Sequence, residues 1–251
     1  MLEKYLRKVE FDSLEDFRRN FEIIVPENFN FGYDVVDEWA RTNPDKLALL
    51  WTNDEGAEVR YTFADIKRKS DQVASFYQTL GIGSGDCVMM MLKRRAEFWF
   101  SIVALHKLGA VAIPATHLLT PKDLIYRANS AKIKMIVSAD EPIMIQHVND
   151  CLKDAPTVKV LVATGSYHEG IWHSMDEGMK SAPEFKRPEH VNDNHDISLL
   201  YFTSGSSGNP KMVAHNFLYP LGHIVTAKYW HNVNEQSLHL TVADTGWGKA
   251  V

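Results

Sequence analysis

CVMMMLKRRAEFWFSIVALHKLGAVAIPATHLLTPKDLIYRANSAKIKMIVSAD, residues 87–140, sets two periodicities side by side. Cys87 to Leu92, Ala110 to Pro114 and Ile133 to Ser138 are short, nearly continuous apolar runs, the pattern of strands buried on both faces, and the consecutive Met89, Met90 and Met91 belong to it. Between the runs, Ala96 to Leu108 and Pro121 to Ala131 read as helices. Strand, helix and strand at this spacing predict parallel pairing, because two parallel strands need a crossover between them.

The rhythm continues on both sides. Upstream, Leu47 to Trp51 and Glu58 to Phe63 flank an Asn-Asp-Glu-Gly turn and predict a hairpin. Ile66, Val73, Tyr77 and Leu80 mark a helix that ends at Gly81, Gly83 and Gly85. Nearer the start, Ser13 with Asp16 three residues later is a capping-box-like beginning, and Leu14, Phe17 and Phe21 follow at helical spacing. Val35, Val36, Trp39 and Ala40 give a further amphipathic helix, stopped at Asn43-Pro44. Downstream come a helix at Pro142 to Leu152 and a strand at Val158 to Ala163. Residues 166–194, richer in His, Glu, Pro and Asp, predict a surface connection with one short helix around Met175 to Lys180. The pattern restarts with strands Ile197 to Thr203 and Lys211 to Ala214, helix Phe217 to Tyr229 and strand Leu238 to Ala243. The predicted class is α/β, with mostly parallel sheets and helices on both faces. Three regions are expected: a helical arm (1–34), a first α/β subdomain (35–195) and the start of a second (196–251).

Composition removes several functions. At 251 residues and 45% hydrophobic content the chain can bury real cores. A net charge of −5 with scattered basic residues argues against a nucleic-acid partner. Lys67-Arg68-Lys69, Asp65, Asp71, Asp123 and Glu97 read as solvated helix faces. Cys87 and Cys151 make neither a disulfide framework nor a Cys-x-x-Cys pair, which fits a reducing compartment, and a cytoplasmic location is expected. The N-terminus is charged at short intervals, unlike a signal peptide. The most apolar window, Phe98 to Ala115, is interrupted by His106, Lys107 and Pro114 and predicts no membrane span. The eleven histidines converge on no helix face or loop, so no metal ligands are assigned.

The chemistry gathers in one loop. Thr203-Ser204-Gly205-Ser206-Ser207-Gly208-Asn209-Pro210-Lys211 follows the apolar run Leu199 to Phe202 and leads into another. Its glycines let the backbone turn and approach an anion, so that successive N–H groups form a nest for phosphate oxygens. Four hydroxyls add neutral donors, and Lys211 adds a compact positive charge. A flexible linker has the same composition but does not run from one buried strand into another. The P-loop pattern also fails, since Asn209-Pro210 separates Gly208 from Lys211 and Met212 follows.

The stretch YFTSGSSGNPKMVAHN resembles the signature of the AMP-binding, adenylate-forming superfamily. FNFGYDVVDEWA (29–40), GAVAIPATHLLTPKDLIYRANSAKIKMIVSAD (109–140) and ADTGW (243–247) resemble its short- and medium-chain acyl-CoA synthetase branch. The resemblance implies an adenylate-forming N-terminal domain, truncated here. It also implies a reaction in which a small carboxylic acid and ATP, with Mg2+, give an acyl-adenylate and pyrophosphate, and coenzyme A then takes the acyl group. Thr203, Ser204, Gly205, Ser206, Ser207, Gly208 and Lys211 become the phosphate-binding residues. His215 either positions the loop or packs in the core, and Trp247 either walls an acyl pocket or is core. The family's catalytic residues are expected downstream of Val251, so this N-terminal part is expected to be inactive alone. An adenylating enzyme with a carrier-protein acceptor, or a non-catalytic nucleotide-binding module, are the alternatives.

Overall fold

The computed structural model describes residues 1–204 and 208–248. In the arm, Ser13 caps α1 (Leu14–Asn20) by accepting the Asp16 N–H. The Asp16 carboxylate turns away to Lys8 and the Asp12 N–H, so the capping box is half formed. A π-helical turn (Phe31–Asp37) runs into α2 (Glu38–Thr42), which ends at Asn43-Pro44. The hairpin is β1 (Leu47–Thr52) against β2 (Glu58–Thr62). Thr62 then starts α3 (Phe63–Thr79) in a complete capping box with Asp65.

The alternating units follow as β3 (Cys87–Met91), α4 (Glu97–Leu108), β4 (Val111–Pro114), α5 (Pro121–Ala131), β5 (Met135–Ser138), α6 (Pro142–Cys151) and β6 (Val160–Ala163). After them come β7 (Trp172–Ser174), α7 (Met175–Ser181), β8 (Ile197–Thr203), β9 (Lys211–Asn216) and α8 (Tyr219–Gly222). Strands β3 to β9 form one sheet in the order β7-β6-β5-β3-β4-β8-β9. Every neighbouring pair is parallel except β8 with β9. The sheet thus continues across residue 195.

Alternation within the strands divides the core in two. Val88, Met90, Met135, Val137 and Leu199 join the cluster formed with α3 and α4. Met89, Met91, Ile113, Ile136 and Leu200 join the one formed with α5 and α6. Period-two side chains on strands covered by helices on both faces require this division. No helix among the described residues is long and apolar enough to cross a membrane.

Four expectations change. Residues 166–194 contain β7, a parallel edge strand on β6. The expected helix 217–229 is broken into α8 and a π-helical turn (Val225–Trp230), with Pro220 near the start of the first piece. Leu238 to Ala243 is no strand: Leu238, Leu240 and Val242 stay exposed. An alternating sequence without a neighbour to supply a hydrogen-bond ladder remains irregular. Asp71 is not merely a solvated face either. It accepts from the fully buried Lys107 ammonium at 2.6 Å, which also meets Asp37 at 2.7 Å, while Lys67 meets Asp71 at 2.5 Å.

His106, beside Lys107, lies within ring contact of Phe31 and Phe217. Burial lowers its pKa from 6.5 to about 4. Between those values the unfolded chain binds a proton that the folded chain refuses, so stability falls as pH falls through this window. Urea titrations at pH 7 and pH 5 should show His106→Gln losing about 2 kcal/mol less than the wild type between the two pH values. Identical losses would mean that His106 is not held neutral.

Candidate functional site

A cavity of about 700 Å³ opens where β4 and β8 end. It lies beside the point at which the chain, having stepped from β3 to β4, crosses to β5 on the other side of β3. Crevices at the carboxyl ends of parallel strands near such a reversal are the usual ligand sites of open α/β sheets.

The phosphate-loop candidate is the connection of the β8–β9 hairpin, with Thr203 and Lys211 as direct cross-strand partners. Thr203, Ser204 and Gly208 line the cavity. Gly208 has φ +90°, a conformation strained for any L side chain. Gly205, Ser206 and Ser207 lie outside the described residues. Lys211 is exposed at the mouth of the hairpin, outside the described lining. Its ammonium sits on a long flexible stem, well suited to follow an incoming anion.

On one side of the sheet the cavity is aromatic. His215 projects from β9 with its ring centroid 4.0 Å from Tyr219 and 6.1 Å from Tyr201. Burial, then the nearby His223, lower the His215 pKa, which keeps the imidazole neutral at pH 7. Tyr201 is 6% exposed, and burial pushes its phenol pKa up. Its hydroxyl finds no hydrogen-bond partner among the described residues. Trp247 closes this side incompletely, being 59% exposed.

Trp247 arrives on a segment fastened to the strand ends. Asp244 Oδ2 lies 3.4 Å from His117 Nδ1, and Thr245 donates its hydroxyl to the Lys93 carbonyl. Gly246 is pressed onto the end of β4: a Cβ there would stand 2.2 Å from Thr116 N and 2.3 Å from the Ala115 carbonyl carbon. The structure therefore brings Thr203, Ser204, Gly208, His215 and Trp247 to one cavity, with Lys211 outside its described lining but directly across from Thr203.

Most of the described lining was not singled out in the sequence. Tyr201 read as the end of an apolar strand, and Tyr219 and Arg127 as parts of helices. Nothing in the spacing of these residues marks them, because the fold joins segments distant in sequence. The described lining contains no carboxylate. His190, Asp193 and Asp196 can bring ligand atoms within 4.8 Å of one another, but all three are exposed and precede the amino end of β8.

The model of the family described as AMP-binding enzyme matches residues 36–248. Among curated proteins, acyl-coenzyme A synthetase ACSM5, mitochondrial, of Rattus norvegicus is 34% identical over 236 residues, covering 90% of this chain and 40% of its own length. Acyl-coenzyme A synthetase ACSM3, mitochondrial, of Homo sapiens is 32% identical over 249 residues, covering 96% of this chain and 42% of its own length. The chain thus spans about two fifths of the length of these relatives. In fold it is similar to the anthranilate CoA ligase AuaEII, solved in complex with anthranoyl-AMP. The TM-score is 0.70 at 23% identity, over 82% of this chain and 38% of that one.

The tight seat of Gly246 gives a direct test of how the 244–247 segment is held. Gly246→Ala should cost about 1 to 3 kcal/mol in urea unfolding, because backbone on both sides must shift. Unchanged stability would mean that the segment does not rest on β4.

Proposed function

Because the chain belongs to the AMP-binding enzyme family, we propose that its cavity is the ATP site of an AMP-forming acyl-CoA synthetase, of which these residues form the N-terminal part. A carboxylate oxygen of a small acid attacks the α-phosphorus of ATP, and the bond to the bridging oxygen breaks as pyrophosphate leaves. The thiol of coenzyme A then displaces AMP to give the thioester. The observation that carries this reading is the meeting of phosphate-loop residues Thr203, Ser204 and Gly208 with His215 and Trp247 in one cavity. The names of the curated relatives support the acyl-CoA branch.

The loop's task is electrostatic. Hydroxyls of Thr203, Ser204, Ser206 and Ser207, with the amides of Gly205 and Gly208, hold the β- and γ-phosphates, and Lys211 closes over them as a point charge. Charge grows on pyrophosphate as it leaves, so donors fixed there favour the transition state. Neutral His215 offers the phosphates no charge. Its tilted ring contact with Tyr219 forms, with Trp247, an aromatic wall for the acid's apolar part.

Magnesium enters with the nucleotide. The described lining offers it hydroxyls but no carboxylate. Residues 1–34 are assigned to the arm, 35–195 to a first unit and 196–251 to the start of a second, whose strands β8 and β9 extend the first unit's sheet. The two free cysteines suit a reducing compartment; the cytoplasm and the mitochondrial location in the relatives' names both meet that condition.

Calorimetry with MgATP tests the assignment. The 251-residue chain should bind MgATP, Lys211→Ala should weaken binding about tenfold or more, and the chain alone should form no thioester. Equal binding by wild type and Lys211→Ala would remove Lys211 from the phosphate site.

A further inference from the structure

The helix opposite the loop holds a cation with too few partners. Tyr126 donates its hydroxyl to the Pro210 carbonyl at 3.0 Å, fastening α5 to the descending arm of the loop. Arg127, the next residue, lines the cavity with Thr203, Ser204 and Gly208. Its side chain is 15% exposed, and its guanidinium lies over the Phe202 ring at 5.3 Å.

Its acidic neighbour serves it poorly. Asp123 Oδ1 is 3.7 Å away, beyond hydrogen-bond reach, and Asp123 Oδ2 is committed to the helix cap, accepting the Thr120 N–H and hydroxyl. Among the described residues the guanidinium makes one hydrogen bond, to the Asp123 carbonyl at 3.3 Å. A guanidinium carries five N–H donors in a rigid plane. Most of them are thus free in a cavity whose described lining has no carboxylate, and burial works against the charge. Such an arrangement is costly without an anion and favourable with one.

We propose that Arg127 is a second phosphate-binding cation, its guanidinium fork taking two oxygens of the pyrophosphate portion of the nucleotide. This rests on the nucleotide reading of the cavity and extends the grip from the β8–β9 loop to α5. The two cations differ in kind. Lys211 is an exposed charge on a flexible stem across from Thr203, whereas Arg127 is largely buried with its guanidinium 5.3 Å from the Phe202 ring centroid, so its planar fork surrenders less freedom on binding and can select paired phosphate oxygens by geometry.

Oxyanions in such a cavity come from three sources: the pyrophosphate portion of ATP, a phosphate of coenzyme A, or the carboxylate of the acid. Separate calorimetric titrations of the 251-residue chain with inorganic pyrophosphate, MgATP, AMP, coenzyme A and butyrate distinguish them. Arg127→Gln should weaken pyrophosphate and MgATP by about 10- to 100-fold and change AMP, coenzyme A and butyrate by less than about threefold. Arg127→Lys, which keeps the charge without the fork, should recover part of the loss, and it decides the matter if Arg127→Gln does not fold.

Equal pyrophosphate affinity in wild type and both variants overturns the proposal. So does a loss confined to coenzyme A or butyrate, or an equal loss for AMP. If the wild type binds neither MgATP nor pyrophosphate, the nucleotide reading itself fails. If it binds both and the variants bind as well, only the role of Arg127 fails.

Discussion

β8 runs parallel to β4 and returns at once, antiparallel, as β9, so the end of β4 and the turn of the hairpin open to the same side of the sheet. Almost everything at the site depends on this. A parallel neighbour fixes which end of β8 the loop leaves from, and the antiparallel return sets Lys211 directly across from Thr203. The end of β4 receives Gly246 and so determines where Trp247 stands. Reversing β8 would carry the loop to the far edge of the sheet, away from α5 and from the end of β4.

Two buried cations illustrate how partner number separates structure from binding. Lys107 is completely enclosed, but two carboxylates reach it, one of them also meeting Lys67. That network joins α3 and α4 to the helical turn at Phe31–Asp37. Arg127 is almost as enclosed, yet its nearest carboxylate is occupied with a helix cap. Burial alone would assign both to the core; the count of committed acceptors distinguishes them.

Much of this was legible in the sequence because strands covered on both faces must be apolar nearly throughout. Met89, Met90 and Met91 are all fully buried, as their continuous run implied, and they alternate between the two cores. The loop stood out in the sequence as glycines, hydroxyls and a lysine between two strands, and its described residues Thr203, Ser204 and Gly208 line the cavity. Other features were not. β7 has three residues, too few to display a period. Leu238, Leu240 and Val242 display the period without a partner to use it. Asp71 and Arg127 occupy helix positions whose meaning is set by Lys107 and by the phosphate loop, each brought near only by the fold.

The carboxyl-end cavity is proposed to receive the phosphates of a nucleotide. The most direct measurement is the set of backbone amide shifts of the 15N-labelled chain during titration with MgATP. The largest changes should fall on Thr203, Ser204, Gly208, Lys211 and the adjoining turn of α5, with the Trp247 indole moving less. Changes centred instead on the groove between Phe11, Phe17 and Trp230, or no saturable change at all, would contradict it.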